Sequence, residues 1–160
     1  MVTPESSPPS GVTGGRVPWI VPLDASPNIS ADLGNFEAFP SGVRLTLRAQ
    51  FKPGVFDPLG TYPGAPGGPH IAVTFADGRA GKVKPPPPLG SVPRDPIPGD
   101  VIFDYCAGRG GTNEWTMVLW LSPLPPSGQL TFTIGWPEKG APVSAVHVDA
   151  AELIRASHAG

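Results

Sequence analysis

His147 and Asp149 stand two residues apart in the run Val-His-Val-Asp. On a strand this spacing puts both on one face. There an imidazole and a carboxylate could supply two metal ligands, or a base and the group that orients it. A metal would need a third ligand from elsewhere, for which His70 is a candidate. Val146 and Val148 claim the opposite face and the interior. His147 therefore reads as a solvated side chain beside a helix cap, and no metal or other cofactor is predicted.

Asp104 and Cys106 share a second such face, next to a glycine-rich stretch. A reactive thiol needs an electropositive setting, and the neighbouring carboxylate works against it. Arg109 is the one cation close in sequence. Cys106 reads as a small, half-buried side chain. Gly108-Arg-Gly-Gly111 matches neither glycine-rich phosphate fingerprint, and no helix follows to offer its N-terminus. It reads as a flexible connection. No serine sits in a nucleophile-elbow context and no paired carboxylates form a cleft motif, so an enzyme is not predicted.

The aromatic residues offer a different chemistry. Trp19, Trp115, Trp120, Trp136, Tyr62 and Tyr105 could form a stacking platform for a sugar or another small molecule. Trp115 and Trp136 fall on apolar strand faces and are assigned to the core. Trp120 shares its face with Thr116 and Val118, and Tyr62 lies in a long loop. Trp120 and Tyr62 are therefore the candidate ligand-binding residues. Pro85–Pro88 and the Ser122–Pro126 stretch could serve as stiff polyproline ligands for a partner groove, but loop rigidity explains them as well.

The elements that must position these groups are strands. The 160 residues suit one domain with a real core. Gly 21 and Pro 24 together exceed a quarter of the chain, but the prolines are clustered between patterned segments. A net charge of −2 with scattered Lys and Arg gives no footprint for nucleic acid. One cysteine forbids an intramolecular disulfide. The N-terminus lacks a basic region and an apolar segment of signal-peptide type, and no run is long enough to span a membrane. These features predict a cytoplasmic protein with no membrane contact.

Residues 1–16 carry few large apolar side chains and are expected to form a flexible arm. The domain then runs from 17 to 160. A short edge strand is predicted over Val17–Leu23, limited by Pro18 and Pro22. Val43–Phe51 alternates most cleanly, with Val43, Leu45, Leu47, Ala49 and Phe51 on one face. His70–Ala76 and Arg79–Val83 flank Asp77-Gly78, a type I′ hairpin signal. Val101–Cys106 and Val143–Val148 are further strands. Residues 115–136 read as the central hairpin, its arms joined by the proline-rich 122–128 turn. Asp149 with Glu152 three residues later predicts a capped helix over Ala150–Ala156. The tally is an all-β antiparallel β-sandwich of about seven to nine short strands with a short C-terminal helix, or alternatively a β-barrel.

The segment Leu-Pro-Pro-Ser-Gly-Gln-Leu-Thr-Phe at Leu124–Phe132, followed by Gly-Trp-Pro-Glu at Gly135–Glu138, resembles a family of small actinobacterial β-sandwich-like proteins. Val148-Asp149-Ala150 and the Phe75–Arg79 turn are similar to that group as well. The likeness covers roughly residues 17–157. It implies a fold unit and an intracellular bacterial setting, and it brings no activity and no functional residue.

Three functions remain, from different classes. The first is a non-catalytic sandwich acting through a protein partner, for which Leu59, Tyr62, Leu89, Val92 and Ile97 in the long loops are possible contacts. The second is a sandwich binding carbohydrate or another small ligand. The third, ranked last, is a hydrolase or metal site at His147 and Asp149.

Overall fold

The computed structural model describes residues 3–22, 26–54, 68–84, 90–91, 95–111 and 113–159. Ten strands and one α-helix occur among them, with one 3-10 turn at Pro137–Lys139: β1 (Gly15–Val17), β2 (Val21–Pro22), β3 (Ile29–Phe39), β4 (Gly42–Phe51), β5 (His70–Thr74), β6 (Ala80–Lys82), β7 (Ile102–Gly110), β8 (Glu114–Ser122), β9 (Gln129–Trp136), β10 (Ala141–Asp149) and α1 (Ala151–Ala159). They form two antiparallel sheets. The larger has the order β1-β3-β4-β8-β7, with β2 also paired to β3, and the smaller has the order β10-β9-β5-β6. The fold is an all-β sandwich and not a closed barrel. The strand number exceeds the expected seven to nine because the proline-bounded first segment breaks into two short edge strands, β1 and β2.

Alternation sets the layers. On β4 the residues Val43, Leu45, Leu47, Ala49 and Phe51 are buried, while Arg48 and Gln50 point outward and are exposed. The register carries this pattern across to β8, where Leu121, Leu119, Met117 and Trp115 face them in turn. The smaller sheet supplies Ile71, Val73, Leu130, Phe132, Ile134 and Trp136 to the same core. Edge-to-face aromatic pairs bridge the layers, Phe51 with Trp136 at 5.4 Å and Phe36 with Phe132 at 5.7 Å. Such geometry matches the negative face of one ring to the positive edge of the other.

Residues 115–136 are not a hairpin. β8 pairs with β4 and β7 in one sheet, and β9 pairs with β10 and β5 in the other. The proline-rich loop crosses the sandwich from layer to layer. Prolines remove ladder donors, and this length of chain suits a crossing between sheets better than a tight turn. The glycine-rich 108–110 stretch is likewise not a loose connection. It continues β7 and pairs with Met117, Thr116 and Trp115.

The Asp77-Gly78 turn is also of a different type. Gly78 N–H donates to the Phe75 carbonyl at 3.0 Å and Gly78 alone in the turn takes positive φ, +89°. This is a three-residue loop closed by a left-handed glycine, the next commonest hairpin after the two-residue type I′.

Asp149 Oδ1 accepts the Ala151 N–H at 2.9 Å, so the expected helix start is present. Glu152 does not complete a capping box; its Oε2 accepts the Trp19 indole N–H at 2.7 Å. The helix packs on β1 and β3, and a side chain at Gly15 would collide with the Ala156 carbonyl.

The N-terminal segment has anchors that its composition conceals. Pro4 is buried, the Glu5 N–H donates to Ser122 Oγ at 2.8 Å, and Gly14 N–H donates to Glu37 Oε1 at 3.0 Å. Gly15 and Arg16 already belong to β1. Large apolar residues are missing from this stretch, and backbone N–H groups at Glu5 and Gly14 make its contacts instead. No helix among the described residues is long and apolar enough to cross a membrane.

Candidate functional site

The residues proposed for chemistry from sequence do not converge. His147 is exposed on the outer face of the smaller sheet, where its Nδ1 contacts Thr131 Oγ1 at 2.9 Å and Gln129 Nε2 at 3.1 Å. Asp149 is engaged at the helix start. Among the described residues no group of three His, Cys, Asp or Glu could hold a metal ion.

Cys106 is exposed rather than half-buried, because it is the extra residue of a bulge between Tyr105 and Ala107 on the edge strand β7. Partial dehydration and the Asp104 charge push its thiol pKa up, against a weaker pull from Arg44. Asp104 is itself pushed up by dehydration, opposed by Lys84. A raised thiol pKa is the reverse of what a nucleophile needs.

Trp120 has no ring face open to a ligand. It is fully buried, tilted against Phe39 at 6.1 Å, and its indole N–H donates to the Glu5 carbonyl at 2.8 Å. The N-terminal segment covers the face opposite the core at this position. Tyr62 lies outside the described residues, as do Leu59, Leu89, Val92 and Pro85–Pro88. Ile97 is 51% exposed.

The structure instead brings together residues on the outer face of the larger sheet. Reading across the strands, Asp32 on β3 faces Arg48 on β4, and Arg48 faces Thr116 on β8. One step along, Gly34 faces Thr46, and Thr46 faces Val118. Glu37, Arg44 and Trp120 form the next row. Over these rows lie three adjoining cavities. The first, of 330 Å³, is bounded by Arg16, Trp19, Ile20, Asp32, Asn35 and Arg48. The second, of 450 Å³, shares Asp32 and Arg48 and extends past Ser30 and Gln50 to Glu114 and Thr116. The third, of 310 Å³, shares Arg16 and Asn35 and reaches Glu37, Arg44 and Thr46. The shared residues make one trough along the sheet.

Three local features shape it. Asn35 sits at a break in the β3–β4 register and is the single non-glycine described residue with positive φ, +51°. Asn tolerates this left-handed backbone better than most residues. Gly34 leaves the trough floor bare. A Cβ built there meets nothing closer than Asp32 Oδ1 and the Trp19 carbonyl, both at 3.9 Å. Trp19 stands at one wall, held by Glu152 and packed edge-on against Phe36 at 5.4 Å.

The electrostatics are uneven. Arg44 and Glu37 pair at 2.9 Å. Burial works against the Glu37 charge, but the Gly14 N–H and Arg44 outweigh it, with Arg16 adding, and hold its pKa below the ordinary glutamate value. Asp32 and Arg48 stand directly opposite each other yet form no ion pair. Asp32 Oδ1 is buried and accepts no hydrogen bond. Buried acceptors are nearly always satisfied by protein or ordered water, so this orphan is an exception that a bound donor would explain. Asp32, Gly34 and Asn35 were not singled out from sequence, because β3 alternates only weakly.

No family model, no curated protein and no solved structure matches the chain.

Proposed function

We propose that the protein is a non-catalytic β-sandwich that works by binding, and that the trough over β3, β4 and β8 is its binding face. The buried, undonated Asp32 Oδ1 beside the free Arg48 carries this reading. Together they present one acceptor and one donor with no partner among the described residues. His147 and Cys106 lie elsewhere, on the smaller sheet and on the edge strand β7, and neither adds a nucleophile or base to the trough. A cytoplasmic bacterial setting and kinship with the actinobacterial family belong to the same proposal.

A protein partner is the second reading. It is favoured by Ile20, which is 65% exposed on the trough wall and could anchor a partner's apolar side chain. The polar lining of the remaining trough favours a polar ligand.

A library of small polar fragments titrated into isotope-labelled protein tests the location. Amide shifts should concentrate at Asp32, Gly34, Asn35 and Arg48. Hits that cluster on the smaller sheet, or none at the trough, would overturn it.

A further inference from the structure

We infer that the trough takes an extended neutral saccharide, lying along β4 with hydroxyl groups bridging Asp32 and Arg48. This rests on the trough being the binding face and adds the class of ligand.

The first argument is the donor and acceptor pattern. Along the trough carboxylates and guanidinium groups are mixed: Glu114, then Asp32 with Arg48, then Glu37 with Arg44, with Arg16 bordering the last two groups. Ser30 and Gln50 share the row of Glu114, Thr116 shares that of Asp32 and Arg48, and Thr46 lies in the row between Arg48 and Arg44. A phosphate or other anion would meet the carboxylates, and a cation would meet the arginines. A hydroxyl both donates and accepts. It is the ligand group that satisfies Asp32 Oδ1 as donor and Arg48 as acceptor through neighbouring positions on one ring.

The second argument is shape. From Gln50 to Arg44 the trough follows β4 for roughly 20 Å, at a strand rise of about 3.3 Å per residue. Each of the three cavities lies near or within the ~300–1,000 Å³ span of ordinary ligand pockets, and adjoining cavities suit a chain of similar units. The third argument is Trp19. Its indole N–H is already committed to Glu152, and the residue forms part of the wall of the first cavity, its backbone carbonyl nearest the Gly34 floor. Aromatic rings offer an apolar surface to the C–H face of a sugar while polar groups take its rim. Gly34 gives the room, since a side chain larger than a methyl there would project into the open space over the floor.

The experiment uses the full chain and soluble tetrasaccharides of β-1,4-glucose, α-1,4-glucose, β-1,4-mannose and β-1,4-N-acetylglucosamine. Binding is followed by amide shifts and by calorimetry, with tetra-alanine and inorganic phosphate alongside. At least one saccharide should bind and shift the Asp32, Gly34 and Arg48 amides. Asp32→Ala and Gly34→Val should each weaken it at least tenfold, and His147→Ala on the opposite sheet should leave it unchanged. Gly34→Ala, whose methyl fits at ordinary contact distance, gives a smaller loss in a folded protein should the valine variant not fold. Saccharide binding that survives Asp32→Ala and Gly34→Val would overturn the assignment. So would tighter binding of tetra-alanine or phosphate. Polar fragments that find the trough when every saccharide fails would sink the saccharide class and leave the binding face standing. Failure of both at the trough would remove both.

Discussion

The indole N–H of Trp120 donates to the backbone carbonyl of Glu5 at 2.8 Å, joining residues 115 positions apart. The Glu5 N–H donates in turn to Ser122 Oγ, whose own hydroxyl donates to the Ser41 carbonyl at 2.6 Å. One backbone unit of the N-terminal segment thus closes the outer face of the larger sheet over a buried tryptophan.

Deleting residues 1–6 should therefore destabilise the protein by about 1–3 kcal/mol, from two lost hydrogen bonds and newly wetted Trp120 surface. Urea unfolding reads the change. The tryptophan emission of the folded truncated protein should also shift to the red. An unchanged midpoint with unchanged emission would mean that the segment does not cover Trp120 in solution.

Trp136 and Trp120 should both be costly to truncate. Trp136 is fully buried against Phe51 from the opposite sheet, and Trp136→Ala should cost about 3–5 kcal/mol. Trp120→Ala should be a structural lesion too, since its ring is equally enclosed. A Trp120→Ala protein of wild-type stability would contradict the packing described for that face.

These two tryptophans show what was legible in the sequence. Alternation told which side of each strand is apolar, and it placed Trp136, Leu45 and Val73 in the core correctly. It could not tell which strand is the neighbour. β8 and β9 are consecutive and equally apolar, yet they belong to different sheets, because pairing is decided by contacts far apart in the chain. For the same reason nothing local revealed that Glu5 covers Trp120. The trough was hidden differently. Its orphaned acceptor lies on β3, where the register break at Asn35 blurs the period, and its defining feature at Gly34 is a missing side chain. His147 and Asp149 were read correctly as sharing a solvated face, since that depends only on strand period.

The pH dependence should have a resolvable component from Glu37. Its folded pKa is lowered, so the unfolded state binds more protons in the interval below the ordinary glutamate value, near 4.3. The stabilisation is present above that value and is lost as pH falls through the folded pKa. Glu37→Gln should cost about 1–2 kcal/mol at pH 7, allowing for the 40% exposure of the Arg44 side chain, and progressively less as pH falls through the folded pKa. Asp104 works with opposite sign. Its raised pKa favours the folded state below the ordinary aspartate range, and that contribution is lost as pH rises through the folded pKa. Asp104→Asn should therefore flatten the curve on that side. Denaturation midpoints across pH 2–8 check both signs.

Asn35 separates backbone from side-chain roles. Its φ of +51° suits glycine, so Asn35→Gly should be neutral to stabilising. Asn35→Ala should cost about 1–2 kcal/mol, the usual penalty for a left-handed L-residue. Equal stability of the two variants, measured by urea unfolding, would show that the bulge relaxes.

Asp32→Ala tests the binding face most directly, through stability and ligand titration measured on the same sample. A buried acceptor without a donor costs about 1–3 kcal/mol, so its removal should leave unfolding free energy unchanged or raised. The same substitution should abolish the amide shifts that polar fragments produce at Gly34 and Arg48. A residue kept for function at the expense of stability behaves in this way. An Asp32→Ala protein that is destabilised by more than 1 kcal/mol, a threshold of about the size of one ordinary hydrogen bond, and that still binds those fragments would contradict the account.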